Sequence, residues 1–378
     1  MKIFKINPNS DFNEIAKFIK PDPYGQRYMK KKSSLNYIYM KELKTPGANI
    51  LKQEALSVGA ELVVKRETIL AKGLTNALLM ATDRQIEELA KKTALQDFEL
   101  KKLSLFLKMK FKKPKKALIM GVVNINEDSF NQASRVDKNS AIAKIQKQII
   151  DSASYIDIGG CSSRPNSIYP GRDEEFRRVK PVIDEIYSLK LYEKAKFSLD
   201  SFDEYCLEYA LDRGFKMIND ISAKLSLCDI AKKYDAEYLL MHMQNDPQTM
   251  QNNPTYKDLI YEIDSFFEEK LEQIAKFGID KIYLDVGIGF GKSAQDNLFL
   301  IKHLEHFLRF GYPLLVGASR KSVINHYSPS KVEDRLAGSL YLHLKSFENG
   351  ATIIRTHDVY EHAQLFKMHE ALSKTTIW

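Results

Sequence analysis

The dominant pattern along residues 117–378 is an alternation between short apolar segments and longer amphipathic ones. The short segments are rich in β-branched and large apolar residues and have the length of buried strands. We predict eight strands, at residues 117–124, 155–160, 196–200, 216–220, 237–242, 281–287, 313–319 and 351–357. Each ends in a polar or glycine-containing stretch, which is typical of a strand that leads into a loop.

A stretch with helical periodicity follows each predicted strand. These helices are expected at 141–152, 174–188, 204–212, 229–234, 256–277, 298–310, 332–347 and 359–372. Eight βα units in about 260 residues are the signature of a closed (β/α)8 TIM barrel, although a doubly wound open sheet has the same alternation. The number of repeats favours the barrel.

The first 112 residues have a different pattern and predict a smaller α+β N-terminal domain. Strands are expected at MKIFKI, NYIYM and ELVVKR, and Pro46 can open a helix. Thr82 and Gln85 resemble a capping box at the start of a helix that reaches about Met109. A basic, proline-containing stretch at 113–116 then predicts a linker to the barrel domain at 117–378.

Charge divides the chain in the same place. Lys and Arg outnumber Asp and Glu by 25 to 12 in residues 1–116, whereas they trail by 32 to 37 in residues 117–378. The N-terminal lysines are dispersed through helical segments without aromatic interleaving, so we expect a solvated basic face rather than a nucleic-acid site.

Composition bounds the class of protein. With 44% apolar and 28% charged residues the chain can bury a full core. The three cysteines, Cys161, Cys206 and Cys228, match neither a disulfide framework nor a zinc site. Because no apolar run has the length of a signal peptide or a membrane span, we expect a cytoplasmic protein with no membrane association.

Polar side chains occur at the end of every predicted barrel strand, where the functional groups of such barrels lie. Asp200, Asp285 and Asn219 can match the donors and acceptors of a flat heterocycle. Lys321, Arg355 and His357 can hold an anionic leaving group, and carboxylate and amide oxygens suit Mg²⁺ bridged to phosphate. A lone His242 on an apolar strand is more typical of a hydrogen-bonded core histidine.

The glycine-rich stretch DVGIGFGKS at 285–293 is not a nucleotide-binding loop. A P-loop requires glycine at the position of Val286, and a dinucleotide-binding loop requires it at Lys292. The three glycines are instead expected to let the backbone approach a ligand beside Asp285.

Eight motifs, one at each strand end, resemble the dihydropteroate synthase family in order and spacing. They are MGVVNINEDSF, DIGGCSSRP, SLDSF, INDIS, MHMQ, LDVGIGFGK, GASRKS and IIRTHDV. The resemblance covers residues 117–378. It implies transfer of the methylene of a dihydropterin pyrophosphate to 4-aminobenzoate in folate synthesis, with sulfonamides as competitors and a homodimer as the assembly.

The resemblance also implies a role for each site residue. Asp200, Lys321, Arg355 and His357 would be catalytic, and Asn124 would hold Mg²⁺ on the pyrophosphate. The pterin site would comprise Asp200, Asn219, Asp285, Lys321 and Arg355, with Arg355 and His357 also binding pyrophosphate. Met241 and Phe290 would be further substrate-binding residues. The aminobenzoate pocket would comprise Phe130, Ser163, Arg164, Pro165 and Ser322, and Cys161 would be a bystander.

Two alternatives stay open. A pterin-dependent methyltransferase has a similar barrel but does not need the cationic groups of residues 319–321 and 355–357. An inactive pterin-binding scaffold protein would be consistent with the unusual residues in the first two loops, such as Cys161 in place of a common glutamate.

Overall fold

The computed structural model describes residues 1–8, 10–125, 138–161, 167–245, 249–250 and 252–375. The chain divides into two compact units. The first comprises Met1–Lys110 with the C-terminal end from Glu370 onward, and the second comprises Phe111–His369. The linker predicted at 113–116 stays a prediction, although Lys113 forms an ion pair with Glu305 of the second unit, at 2.6 Å.

The first unit is built on a three-stranded antiparallel sheet in the order β1-β3-β2. Its strands are β1 (Leu35–Lys44), β2 (Glu61–Val64) and β3 (Leu74–Thr82), and its helices are α1 (Phe12–Ile19), α2 (Pro23–Lys30), α3 (Thr45–Ser57), α4 (Asp83–Thr93) and α5 (Leu100–Leu107). The apolar faces of α3, α4 and α5 pack on one side of the sheet and form a separate core. An α+β unit at this end of the chain is thereby confirmed.

Some of the local sequence signals in this unit predicted its elements correctly, and others did not. Pro46 lies in the first turn of α3, and Thr82 and Gln85 form the capping box of α4, as predicted. The strand predicted at MKIFKI is wrong, because residues 1–7 form no regular element. The predicted helix to Met109 is broken between α4 and α5, where Phe98 and Glu99 have positive φ angles that a helix cannot accommodate.

The second unit is a closed barrel of eight parallel strands, as the repeat count predicted. Its strands are β4 (Leu118–Asn124), β5 (Tyr155–Gly159), β6 (Lys196–Asp200), β7 (Met217–Asp220), β8 (Glu237–Met241), β9 (Ile282–Asp285), β10 (Leu314–Val316) and β11 (Ala351–Thr356). Strand β11 pairs with β4 and closes the cylinder, which excludes the open doubly wound sheet.

Helices follow the barrel strands as predicted. They are α6 (Lys138–Ile150), α7 (Arg172–Ser188), α8 (Glu204–Leu211), α9 (Ser226–Lys233), α10 (Leu259–Ala275), α11 (Ala294–Lys302), α13 (Leu336–Glu348) and α14 (Val359–Lys374), with the short α12 (Ser322–Tyr327), which the sequence did not predict, between β10 and α13. Side-chain caps at Asp203, Asp258 and Ser293 start three of them. No helix in the described part of the chain is long and apolar enough to cross a membrane.

The barrel has two apolar layers. The larger core lies between the strands and the surrounding helices. The smaller one fills the barrel and includes Met120, Tyr155, Met217, Leu239, Leu315 and Ile353. Because side chains alternate along a strand, the residue two positions after each of these also points into the barrel, closer to its C-terminal end.

Candidate active site

Strand register brings the predicted site residues to one mouth of the barrel. Asn219 follows the interior residue Met217 by two positions, and Arg355 follows Ile353 in the same way. Asp200 lies opposite Asn219 in the β6–β7 pairing. The polar groups therefore form the layer above the apolar plug of the barrel.

Arg355 is held between two carboxylates. Its Nη2 lies 2.8 Å from Oδ2 of Asp200 and 2.6 Å from Oδ2 of Asp157, to which its Nε also donates at 2.6 Å. Burial acts to lower the pKa of Arg355, but the two carboxylates outweigh it and the pKa is raised. The guanidinium therefore stays charged, and its plane is fixed across the mouth.

Asp157 is a functional residue that the sequence reasoning missed. It is fully buried, and its carboxylate accepts hydrogen bonds from Asn219 Nδ2, at 3.0 Å, and from the Ser198 hydroxyl as well as from Arg355. It lies in the middle of β5, whereas the predicted site residues lie at strand ends or in the loops after them. The available signal was the alternation with Tyr155, which places an acidic side chain inside the barrel.

Burial dominates the electrostatics of Asp200. It raises the pKa of Asp200 to about 7, with Arg355 opposing the rise and the Asp157 carboxylate adding to it. A carboxyl group with this pKa can accept or donate a hydrogen bond close to neutral pH, which suits an edge of a heterocycle that carries both kinds of group.

Asp285 ends β9 and organises the glycine-rich loop. Its Oδ1 accepts the amide N–H of Gly287 at 2.7 Å, and burial raises the pKa of its carboxyl group. Gly287 has φ +69°, and a Cβ there would lie 2.0 Å from the carbonyl oxygen of His242. Gly287 thus lets two stretches of the chain's own backbone approach each other, and the approach of this loop to a ligand stays a prediction.

Lys321 reaches over the same loop. Its ammonium donates to the carbonyl oxygen of Ile288 and lies 4.5 Å from the centroid of the half-buried Phe290 ring. Burial lowers the pKa of Lys321 to about 8, against the opposing effect of Asp285. A cation above an aromatic ring, beside a carboxylate, can bind the oxo edge of a planar ligand.

A second buried lysine, Lys292, lies in the same glycine-rich loop, and the sequence did not predict a role for it. Its Nζ lies 3.0 Å from Nδ1 of His242 and donates to the carbonyl oxygens of His242, at 3.3 Å, and Phe290, at 2.9 Å. Burial lowers the pKa of Lys292 to about 7 and that of His242 to about 2. His242 is therefore a neutral, hydrogen-bonded core histidine, as predicted, and Lys292 fastens the glycine-rich loop to the end of β8.

His357 stands at the edge of the mouth, next to the β10–α12 loop. Its Nδ1 lies 2.9 Å from the Ser319 hydroxyl oxygen, and its backbone N–H donates to the same oxygen at 3.2 Å. Burial lowers the pKa of His357 to about 4, so the imidazole is neutral near pH 7. The adjacent Arg320 is turned away from the mouth, because its guanidinium binds Asp358 at 2.6 and 2.9 Å.

The remaining predicted site residues are placed as follows. Asn124 ends β4 with an exposed side chain, and its Oδ1 lies on the side of Gly159 that also faces Asp200. Met241 is buried at the end of β8, and Ser322 is exposed at the start of α12. Phe130, Ser163, Arg164 and Pro165 lie outside the described residues.

The residues present fit a magnesium ion only if the substrate supplies most of its ligands. No group of three or more His, Cys, Asp or Glu side chains within the described ranges could hold a metal by itself. Asn124 contributes one exposed amide oxygen at the mouth. Mg²⁺ typically takes one or two protein oxygens, several waters and the oxygens of substrate phosphates, so this donor set suits an ion that enters with a pyrophosphate.

Asp220, near the mouth, has a structural role. Asp220 is fully buried and accepts the amide N–H groups of Ser222 and Lys224, which shapes the turn after β7. Burial raises the pKa of the Cys161 thiol to about 12, with Glu175 adding to the rise. A protonated thiol is a poor nucleophile, which agrees with the expectation that Cys161 is a bystander.

Comparison with known proteins places this site in a family. A model of the pterin-binding enzymes matches residues 120–357. A bifunctional dihydropteroate synthase/dihydropteroate reductase from Helicobacter pylori is 40% identical over 99% of this chain and 100% of its own length. A dihydropteroate synthase from Haemophilus influenzae is 34% identical over 67% of this chain and 93% of its own length.

Solved structures agree in both fold and sequence. The Yersinia pestis dihydropteroate synthase in complex with a sulfonamide drug has a TM-score of 0.64 and 33% identity, over 69% of this chain and 95% of that one. The Clostridium difficile enzyme, crystallised in the presence of pteroic acid, has a TM-score of 0.63 and 34% identity, over 70% of this chain and all of that one. The predicted resemblance is confirmed, and the chain belongs to the dihydropteroate synthase family of pterin-binding enzymes.

Proposed function

We propose that this chain transfers the methylene group of a dihydropterin pyrophosphate to the amino nitrogen of 4-aminobenzoate. The bond between the methylene carbon and the pyrophosphate oxygen breaks, a carbon–nitrogen bond forms, and the amine releases one proton. The observation that carries the proposal is the position of Arg355, which bridges Asp157 and Asp200 in the layer above the apolar plug. Asn219 donates a hydrogen bond to the Asp157 carboxylate in the same layer.

The acidic and amide groups suit the ring. Asn219, Asp200 and Asp285 present donors and acceptors at the mouth of the barrel, and Lys321 presents an ammonium above Phe290. When pyrophosphate leaves, positive charge develops on the methylene and spreads into the electron-rich pterin. Carboxylates held beside the ring stabilise that charge more in the transition state than in the ground state.

The cationic and neutral donors suit the leaving group. Arg355 can donate hydrogen bonds from the guanidinium edge while Asp157 holds it in place, and a neutral His357 with Nδ1 occupied can donate from Nε2. Asn124 would hold Mg²⁺ against the pyrophosphate, and the ion would neutralise negative charge on the departing group. The chain's own residues then orient the two ends of the substrate for displacement.

A Mg²⁺-dependent assay tests the proposal. Purified full-length chain is mixed with the pterin pyrophosphate, 4-aminobenzoate and Mg²⁺, and both pyrophosphate and dihydropteroate are measured. We expect equimolar formation of the two products, with sulfonamide competing against 4-aminobenzoate. Binding of the pterin without release of pyrophosphate would support the scaffold alternative and refute the synthase. The homodimer and the cytoplasmic location stay predictions, measured by light scattering and cell fractionation.

We also propose a second, reductive activity, which the sequence reasoning did not foresee. The Helicobacter pylori relative named as both synthase and reductase matches 99% of this chain, whereas the Haemophilus influenzae and Escherichia coli synthases each match 67% of it. The first unit is therefore the candidate for reduction, in which dihydropteroate gains a hydride from a reduced nicotinamide or flavin and a proton from solvent and becomes tetrahydropteroate.

One surface of the first unit supports this assignment. Tyr37 and Tyr39 lie on the same face of β1 and are 64% and 59% exposed, and Val63 of β2 lies on that face at 50% exposure. Exposed aromatic rings on a sheet can stack on a planar ligand. Replacing both tyrosines by alanine should lower reduction of dihydropteroate and leave synthase turnover unchanged. Equal reduction by the variant and the unchanged chain would refute this placement.

A further inference from the structure

Two histidines form a buried pair behind the mouth of the barrel. His343 of α13 and His362 of α14 are both fully buried, and Nδ1 of the first lies 2.7 Å from Nε2 of the second. At the other ring atoms, Nε2 of His343 accepts the amide N–H of Ala318 at 2.8 Å, and Nδ1 of His362 lies 2.6 Å from the carbonyl oxygen of Asp358. Neither ring touches the pterin or pyrophosphate groups proposed above.

These contacts determine which nitrogen of each ring carries the proton. The Ala318 N–H can only donate, so Nε2 of His343 is unprotonated and the ring proton is on Nδ1, which donates to His362. The Asp358 carbonyl can only accept, so Nδ1 of His362 carries its proton and Nε2 accepts from His343. Both outer contacts therefore require that His343 donates the hydrogen bond between the two rings and that His362 accepts it. Burial lowers the pKa of both rings, which keeps them neutral.

The hydrogen bonds continue from His362 through the hydroxyl groups of Thr356 and Ser319 to His357, and the neighbours of each group again determine which atom donates. The Thr356 hydroxyl oxygen accepts the amide N–H of Asp358 at 3.1 Å and lies 3.3 Å from Nδ1 of His362. Because that nitrogen is protonated, the Thr356 hydroxyl cannot donate to it and donates to Ser319 instead, at 3.4 Å. Ser319 thus accepts from Thr356 and from the His357 backbone, and its own proton is left for Nδ1 of His357 at 2.9 Å.

We propose that His343 and His362 are positioning residues that hold His357 in the tautomer with its proton on Nε2. In that tautomer His357 donates a hydrogen bond to an anionic oxygen, whereas the opposite tautomer would turn a lone pair toward it. The inference rests on the proposed function, in which the anionic oxygen belongs to pyrophosphate. The pair also anchors Ala318, three residues before Lys321, so it sets the start of the loop that carries Lys321.

The expected effect is specific to one substrate. Losing a charge-assisted hydrogen bond to pyrophosphate should raise KM for the pterin pyrophosphate about tenfold. His357 does not touch the amine in the proposed site, and groups that share no contact have nearly independent energetic effects. KM for 4-aminobenzoate should therefore change less than about twofold. A general loss of packing would instead lower the folded fraction and reduce kcat with both substrates alike.

Three variants of the full-length chain separate these outcomes. His362→Phe removes the ring N–H that faces the Thr356 hydroxyl and leaves the carbonyl oxygen of Asp358 without this donor, so the hydroxyl can turn from Ser319 toward that acceptor. His343→Asn keeps a donor near the position of Nδ1 and should preserve the tautomer of His362 and therefore of His357. Leu342→Ala is the matched control, because Leu342 is a buried neighbour on α13 that takes no part in the hydrogen-bond chain.

The tautomer of His357 is read from the ¹⁵N resonances of its ring in histidine-labelled protein, and substrate constants are measured beside it. We expect a single Nε2-protonated form in the unchanged chain, in His343→Asn and in Leu342→Ala, and a mixture of tautomers in His362→Phe with the selective rise in KM. A pure Nε2-protonated His357 and an unchanged KM in His362→Phe would overturn the proposal. A mixture of tautomers in the unchanged chain would overturn it as well.

The tautomer measurement does not depend on turnover. If the chain formed no dihydropteroate, the synthase proposal would fail, and the binding of inorganic pyrophosphate by the same variants would replace the kinetic comparison. We would then expect His362→Phe to bind pyrophosphate about tenfold more weakly than Leu342→Ala. Equal affinity of these two variants would overturn the role of the histidine pair independently of the reaction.

Discussion

Replacement of Asp157 by asparagine tests the arrangement on which the site depends. The side chain keeps its shape but loses the charge that Arg355 contacts at 2.6 Å through two of its nitrogens. Breaking a buried ion pair by removing one partner costs about 3–5 kcal/mol. Because Asp200 retains its own bond to Arg355 at 2.8 Å, we expect a loss at the lower end of this range. The free energy of unfolding should fall by about 3 kcal/mol.

Two measurements follow from that magnitude. The thermal transition of the barrel should fall by roughly 6–12 °C, since 1 kcal/mol corresponds to about 2–4 °C for a unit of this size. The value of kcat/KM for the pterin pyrophosphate should fall about 100-fold, which corresponds to about 2.7 kcal/mol of lost transition-state stabilisation from a misoriented guanidinium and a released Asn219.

Asp200→Asn is the matched control for stability. Asp200 binds the same guanidinium from the rim, but burial already disfavours its charged form, so its replacement by a neutral amide should not lower the free energy of unfolding near pH 7. A stability for Asp157→Asn within about 1 kcal/mol of the unchanged chain, together with normal kcat/KM, would refute the view that Asp157 sets the position of Arg355.

Other perturbations have equally definite outcomes. The pKa of Asp200 is raised to about 7 and that of Lys321 is lowered to about 8. If pterin binding needs the charged form of both groups, kcat/KM plotted against pH should be a narrow bell that rises near pH 7 and falls near pH 8. A flat profile would contradict this. Burial raises the pKa of Asp200 above its ordinary value of about 4, so its contribution to stability is present below about pH 4 and lost as the pH rises through about 7. Denaturant titrations of Asp200→Asn should therefore lose that part of the pH dependence. Gly287→Ala should fail to fold or lose pterin binding, because the new Cβ would lie 2.0 Å from the His242 carbonyl oxygen; a soluble, fully active variant would contradict the loop geometry. Chelation of Mg²⁺, or Asn124→Ala at limiting Mg²⁺, should lower turnover at least about tenfold while calorimetric affinity for dihydropteroate, which carries no pyrophosphate, stays the same.

The order of elements in the barrel was readable from the sequence because it is a local property. A strand shows itself by a short apolar run and a helix by a longer amphipathic one, and repetition of the pair over eight units leaves few architectures. The polar ends of the strands were readable for the same reason, since the C-terminal ends of parallel strands share one face of the barrel. Asp200, Asn219, Asp285, Lys321 and Arg355 were identified in this way.

Local signals failed where a competing constraint decided the conformation. The apolar start of the chain, MKIFKI, has the composition of a strand but no strand partner in the sheet of the first unit. The amphipathic stretch after Thr82 has helical periodicity throughout, yet two residues with positive φ break it between α4 and α5. Periodicity reports the preference of a segment, whereas pairing and chain reversal are decided by the rest of the unit.

Only the tertiary structure identified the residues that hold the site together. Arg355 and Asp157 are 198 positions apart, and the contact exists because the closing of β11 onto β4 places their strands on either side of β4 in one cylinder. Lys292 and the His343–His362 pair are equally dependent on long-range packing, since each is a buried polar group whose partners come from other elements. The sequence determined which chemistry was present and at which strand ends, because that information is local. The fold decided which side chains meet and in which protonation state, because burial and hydrogen-bond direction depend on neighbours that are distant along the chain.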